Sequence, residues 1–155
     1  MAEVCAERGY AEVSVAAVAK RAGVSSLTFY KQFAGKQDCV LAAHRQLLGR
    51  LLEEVDRATE GEGASKARAA IRTALSLFAA DPPSARLLTV EILAAGSEGA
   101  KRHDAMVEAF AERLGTEWVR AAGVLALVGK LAAAGEAARL PQLEDELVAT
   151  ISAQS

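Results

Sequence analysis

Between Val13 and Gln37 the chain carries four cations, Lys20, Arg21, Lys31 and Lys36, and no carboxylate; three of its seven aromatics, Phe29, Tyr30 and Phe33, fall in the same stretch. Hydroxyls at Ser14, Ser25, Ser26, Thr28 and Tyr30 and the amide of Gln32 are interleaved with them. Ammonium, guanidinium, hydroxyl and amide donors without neighbouring acids are the groups that bind phosphate oxygens, and short polar or apolar side chains among them can meet base edges. The chemistry indicated is recognition of duplex DNA. Catalysis has no comparable set of residues: there is no G-x-S-x-G, no Gly-rich phosphate loop, no H-E-x-x-H, and no Ser or Cys with a base nearby in sequence. Cys5 and Cys39 stand neither as C-x-x-C nor at zinc-site spacing, so no metal and no cofactor is expected, and their apolar neighbours read as burying inert thiols. His44, on the apolar face of a long helical stretch, reads as an interior packing or hydrogen-bonded histidine.

Such donors act only if rigid elements present them. Ser14 suits an N-cap, and Val15, Val18, Ala19 and Ala22 then form the inner face of a two-turn helix. Gly23 stops it, because a residue without a Cβ can take the left-handed conformation of a tight reversal. Val24 is expected to plug the gap between helices, Ser25 to cap a second short helix, and Phe29 to face the hydrophobic centre. Ala19 is small where the two helices cross. This is a helix-turn-helix. Its second helix enters the major groove with the exposed N-terminal positions on base edges, here Ser25, Ser26, Leu27 and Thr28. None makes a bidentate base contact, so readout is expected through hydroxyls and thymine methyls. Tyr30, Lys31, Gln32 and Lys36, at the far end and in the turn beyond, are expected to reach phosphates.

The rest of the 155 residues reads as all-α, with about eight helical pieces in the whole chain. Apolar residues recur at helical spacing over about 37–57, 65–80, 84–95, a stripe after the Gly96–Gly99 stretch, 118–134 and 140–151, while Gly61-Glu62-Gly63 reads as a linker and Pro and Gly as helix punctuation. The segment 84–95 is apolar almost all round, which predicts burial. With 35 Ala the core is expected to be built of small side chains. The net charge of −2 divides into +4 over the basic stretch and −6 elsewhere. No apolar run approaches a membrane span and the N-terminus lacks a signal-peptide pattern, so a cytoplasmic protein that does not engage a membrane is expected.

The segment AERGYAEVSVAAVAKRAGVSSLTFYKQFAGKQDCVLAA resembles the DNA-binding domain of the TetR family of bacterial transcription regulators, with its Gly-Tyr, Ala-Gly-Val-Ser, Thr-Phe-Tyr and Phe-x-x-Lys landmarks. The resemblance implies a three-helix DNA-binding domain over residues 1–43 and a helical regulatory domain over 44–155 that binds an effector and dimerises. It implies DNA contacts from Ser14, Ser26, Thr28, Tyr30, Gln32 and Lys36, a pseudo-palindromic double-stranded DNA operator, a homodimer, and a small apolar or amphipathic effector that relieves repression. Leu75, Phe78, Leu88, Ile92, Met106, Phe110 and Trp118 become pocket candidates, each otherwise a core residue. Glu91 and His103 could orient a ligand or pair with Arg86 or Arg102. Leu125, Val128, Leu143, Leu147 and Ile151 become dimer candidates. The first helix and the C-terminal helix pair are short for the family, so either the basic arm that often precedes the first helix is absent or residues there are missing from the sequence, and a loop between Leu114 and Leu140 is expected to be missing. A helical protein-interaction module is the alternative, and it leaves the basic stretch and the Gly23 turn without a use.

Overall fold

A computed structural model describes residues 1–60 and 66–152. The Gly61-Glu62-Gly63 linker and the expected helix start at Ser65 lie outside the described residues. The architecture is all-α: helices α1 (Ala2–Arg8), α2 (Val15–Arg21), α3 (Ser26–Gln32), α4 (Lys36–Ala58), α5 (Lys66–Ala80), α6 (Pro82–Thr89), α7 (Gly96–Leu114), α8 (Trp118–Ala133) and α9 (Glu144–Ser152), with 3-10 turns at Tyr10–Glu12, Glu91–Ala95 and Ala137–Leu143. No helix among the described residues is long and apolar enough to cross a membrane.

Three predicted elements come out differently. The piece expected over 84–95 is two elements. Asp81 starts α6 by accepting from the Ser84 amide at 3.1 Å and the Ser84 hydroxyl at 2.6 Å, and Pro82 and Pro83 occupy the first helical positions, where no amide proton is needed. The helix stops at Val90, and the next turn leaves its axis so that the Glu91 carboxylate reaches Arg86 and the Tyr10 amide. The Gly96–Gly99 stretch is the first turn of α7 rather than a loop. Gly99 is there for proximity: a Cβ on it would stand 2.0 Å from the Ile92 carbonyl oxygen. The last piece also divides, with Leu140 and Leu143 in a 3-10 turn around Pro141 and α9 beginning only at Glu144.

Two hydrophobic clusters result. A head cluster gathers Val4, Cys5, Tyr10, Val13, Val18, Ala19, Phe29, Cys39 and Val40, and is completed by Leu87, Ile92 and Ala95 from α6 and the turn after it. A body cluster packs the rest of α4 with α5 to α9 around Val55, Ile71, Leu75, Phe78, Met106, Phe110 and Leu125. Successive residues of α6 therefore serve different cores, Leu87 the head and Leu88 the body. Gly129 lets α8 approach α6 closely, since a Cβ there would meet the Thr89 hydroxyl at 2.9 Å. Charged clamps tie the periphery: Arg113 holds Asp56 through two bonds of 2.6 and 2.8 Å between α7 and α4. Arg68 and Arg72 of α5 converge on Glu144 of α9 and hold its carboxyl down at about 2.

Candidate functional site

In the head, α2 and α3 form the pair that the residue pattern calls for. Ser14 Oγ accepts from the Ala17 amide at 3.2 Å and Ser25 Oγ from the Thr28 amide at 3.0 Å, so each helix begins on its predicted cap. Gly23 lies between them at φ +69°, in the left-handed region that favours a residue without a Cβ. Val18, Ala19 and Phe29 face inward. Val24 does not plug the gap: it is 42% exposed, and Ala22 is exposed as well, because the reversal carries both outward past the small crossing at Ala19.

The outer face of α3 carries Ser25, Ser26, Leu27, Thr28, Tyr30, Lys31 and Gln32, all exposed, with Ser14 exposed at the start of α2. Leu27 is 70% and Tyr30 57% exposed, a cost that packing within the chain does not offset. The Tyr30 ring meets Phe29 edge-on at 5.5 Å, which steadies its direction. The Ser25 and Thr28 hydroxyls lie 3.0 Å apart and so hold each other in orientation.

The four cations are not equivalent. Arg21 is drawn back onto α1, where it pairs with Glu3 at 2.7 Å and with Glu7. Lys36 is only partly exposed; its ammonium donates to the carbonyls of Tyr10 at 3.2 Å and Ala11 at 3.0 Å and sits 4.7 Å from the centre of the Tyr10 ring. The ammonium thus ties the start of α4 to the Tyr10 turn and has at most one proton left for the expected phosphate. Lys20 and Lys31 are exposed and make no ion pair among the described residues. The carboxylates that flank the basic stretch in sequence fold onto the same body, and over residues 1–43 the side-chain charges sum to +1.

Behind the head, α4, α5 and α6 leave an open groove of about 290 Å³ lined by Leu47, Leu51, Leu77, Phe78, Ala85 and Leu88, with Arg50, Glu54, Asp81 and Ser84 at its edge. Deeper lies an apolar space of about 10 Å³ bounded by Leu75, Phe78, Phe110, Leu114, Val124 and Leu125, among others. Phe78 is common to both walls. Of the expected pocket residues, Leu75, Phe78, Leu88 and Phe110 stand on these walls, and the other five do not. Ile92 is fully buried in the head cluster, Met106 is fully buried in the body cluster, His103 lines neither cavity, and Trp118 is 47% exposed at the start of α8. Glu91 takes its other expected role, pairing with Arg86. It is buried, with one oxygen accepting from Arg86 Nε at 2.7 Å and the other from the Tyr10 amide at 2.6 Å. Arg86 also donates to the Ala6 carbonyl at 3.0 Å. The Arg86 and Glu91 pair thus fastens α6 to the head, a link that no local spacing announces because its third partner lies 81 residues away.

The expected dimer residues are mostly turned into the protomer. Leu125, Val128, Leu147 and Ile151 are buried against their own chain, and Leu143 is half-buried. The outward face of α8 instead carries Val119, Gly123, Ala126, Lys130 and Ala133, with Val119 72% exposed. Leu125 and Val128 of α8 go to the protomer core, and beyond Val119 its outward face is left to small residues and Lys130. The two thiols are buried in the head, and loss of solvent, helped by the nearby Glu91 charge, pushes Cys5 up to about 11, which makes it a poor nucleophile and redox sensor.

Comparison with known proteins bears on both parts. The pattern of bacterial regulatory proteins of the tetR family matches residues 2–43. The fatty acid metabolism regulator protein of Bacillus subtilis (strain 168) is 30% identical over 92 residues, 58% of this chain and 47% of that protein. The chain thus matches about half the length of this curated relative. Among solved structures, the transcriptional regulator FadR from Bacillus subtilis in complex with stearoyl-CoA superposes with a TM-score of 0.82 at 20% identity, covering 99% of this chain and 95% of that one. The fatty acid degradation regulator FadR from Bacillus halodurans gives 0.76 at 17% identity, with 99% and 95% covered. The TetR family transcriptional regulator PfmR from Thermus thermophilus gives 0.58 at 17%, with 92% and 93% covered. These likenesses show a shared fold.

Proposed function

Because residues 2–43 match the pattern of bacterial regulatory proteins of the tetR family, we propose that the chain belongs to that family and is a sequence-specific DNA-binding transcription regulator, a homodimeric repressor that leaves a pseudo-palindromic operator when a small amphipathic effector binds. One observation carries the reading: two capped helices turn on Gly23 and hold an exposed face of Ser25, Ser26, Leu27, Thr28, Tyr30, Lys31 and Gln32. Nothing inside the chain accounts for that face, and a major groove does. In this reading Ser26, Leu27 and Thr28 meet base edges, while Ser14, Tyr30, Lys31 and Gln32 meet phosphates. Residues 1–43 form the reading head and 44–155 the regulatory part of a cytoplasmic binder with no catalytic role.

The groove between α4, α5 and α6 is the effector site. The Bacillus subtilis FadR crystal structure is of a complex with stearoyl-CoA. An acyl thioester suits the groove here too: the leucines and Phe78 would take the chain and Arg50 at the edge an anionic head group. Entry would part α6 from α4 and α5. Since Arg86 and Glu91 bind α6 to the Ala6 carbonyl and the Tyr10 amide, the head would follow. Two heads must fit half-sites roughly 34 Å apart or a multiple of that, so a small displacement costs affinity, and by linkage the effector binds the DNA-free form more tightly. Dimerisation uses the Val119, Gly123 and Ala126 face of α8.

Selection of bound duplexes from a random pool tests the reading. Recovery of an inverted repeat, bound far more tightly than random duplex and released by an acyl thioester, is expected. Equal affinity for selected and random DNA would sink it and favour a helical protein-interaction module.

A further inference from the structure

The groove and the inner apolar space meet at a single ring. Phe78 is 3% exposed, forms part of the groove wall on one side and of the inner space on the other, and stacks on Phe110 with centroids 6.4 Å apart and planes at 29°. About 290 Å³ is at the bottom of the range for small-molecule sites, roughly 300–1,000 Å³, so the groove as it stands holds only a short chain. Behind the ring the void of about 10 Å³ is at the limit for one water, and its walls offer no polar group to hold one. A dry void leaves its lining short of dispersion contacts that an apolar chain would restore. One turn before Phe78 on α5 stands Ala74, also on the inner wall. A long helical side chain lies over the turn that precedes it, and with only a methyl there the ring has room.

Resting on the acyl reading of the groove, we infer that the Phe78 ring is the stop that sets how long an acyl chain the site accepts, closing the groove against the apolar space between Leu75, Phe110 and Val124. The terminal methyl of a bound chain abuts the ring. A longer chain gains nothing from its last carbons unless the ring is removed or displaced toward Ala74.

The test measures dissociation constants of the full chain for saturated acyl-CoAs and for the matching free fatty acids, from butyryl to stearoyl, for wild type, Phe78→Ala, Phe78→Leu and Phe78→Trp. Each newly buried methylene tightens binding about fourfold, so wild-type affinity should climb with chain length and then level off. With Phe78→Ala the plateau should come at a longer chain, and with Phe78→Trp at a shorter one. Phe78→Leu is the substitute should the alanine variant fail to fold by circular dichroism, with a smaller shift in the same direction. A folded variant whose plateau stays at the wild-type length overturns the inference and makes Phe78 a core residue only. Wild-type protein that binds no acyl chain of any length overturns the acyl reading and the inference together. Equal plateaus in the two series place the stop at the chain's end whatever the head group, as expected; a shift confined to the thioesters would contradict it.

Discussion

Lys31 and Lys36 illustrate how little a residue's type says about its use. Both lie in the acid-free stretch, yet Lys31 is exposed and unpaired among the described residues whereas Lys36 commits its ammonium to two carbonyls and a ring. Lys31→Ala is therefore expected to lower the slope of log affinity against log salt by about one, and Lys36→Ala to lower the melting temperature while barely changing the slope, measured by titrating operator at several salt concentrations. The reverse pattern would restore Lys36 as a phosphate contact. His44 is a second residue whose environment decides. It is 1% exposed, its Nε2 has no hydrogen-bond partner among the described residues, and burial, with Arg102 and His103 adding positive charge nearby, pushes it down to about 4 from an ordinary 6.5. The folded state thus resists protonation that the unfolded chain accepts, so stability is full above about pH 6.5 and falls as pH drops toward 4. The difference is worth about 3 kcal/mol at the acid end of that window. His44→Leu should flatten this pH dependence of the melting temperature and raise stability at about pH 5; an unchanged profile would show that His44 is not the group responsible.

Among the elements, α6 is the one that sequence periodicity described least well. Apolar residues resume on both sides of Glu91 and run on to Ala95, so spacing alone offers no reason to stop. The break comes from a buried carboxylate that must reach Arg86 and the Tyr10 amide, a demand set by another part of the chain. Helices α2 and α3 were legible because their caps, the Gly23 turn and the inward apolar positions all act within a few residues. Glycines separate the two cases. Gly49 in α4 has open space where a Cβ would go, so Gly49→Ala should raise stability by about 0.5–1 kcal/mol through helix propensity. Gly99→Ala, a change of the same size, drives a methyl into the Ile92 carbonyl and should cost on the order of 2 kcal/mol or more, since backbone cannot step aside cheaply. Urea melts of the two variants check this, and two changes of the same sign would show that the close approach at Gly99 is not a constraint.

At the scale of the molecule, the proposed dimer depends on a face that the isolated chain leaves uncovered. Val119→Glu sets a carboxylate on the 72%-exposed position of α8 without touching the protomer core. It is expected to leave the melting curve of the monomer near that of the wild type, to yield monomers in sedimentation, and to reduce operator affinity about 100-fold or more because one head then holds one half-site. A variant that still sediments as a dimer would move the interface off this face. Sequence by itself determined the helical class, the helix-turn-helix with its two serine caps and left-handed glycine, and the sparse outward chemistry of α3, because each of these is decided by neighbours within a turn or two. Tertiary structure decided which apolar residues go to the protomer core rather than to a dimer. It also drew Arg21 and Lys36 inward and joined Glu91 to the head. Only the packed chain shows where α4, α5 and α6 leave a groove. Those outcomes turn on what packs opposite each side chain, and burial and charge pairing between segments up to 81 residues apart have no local signature to read.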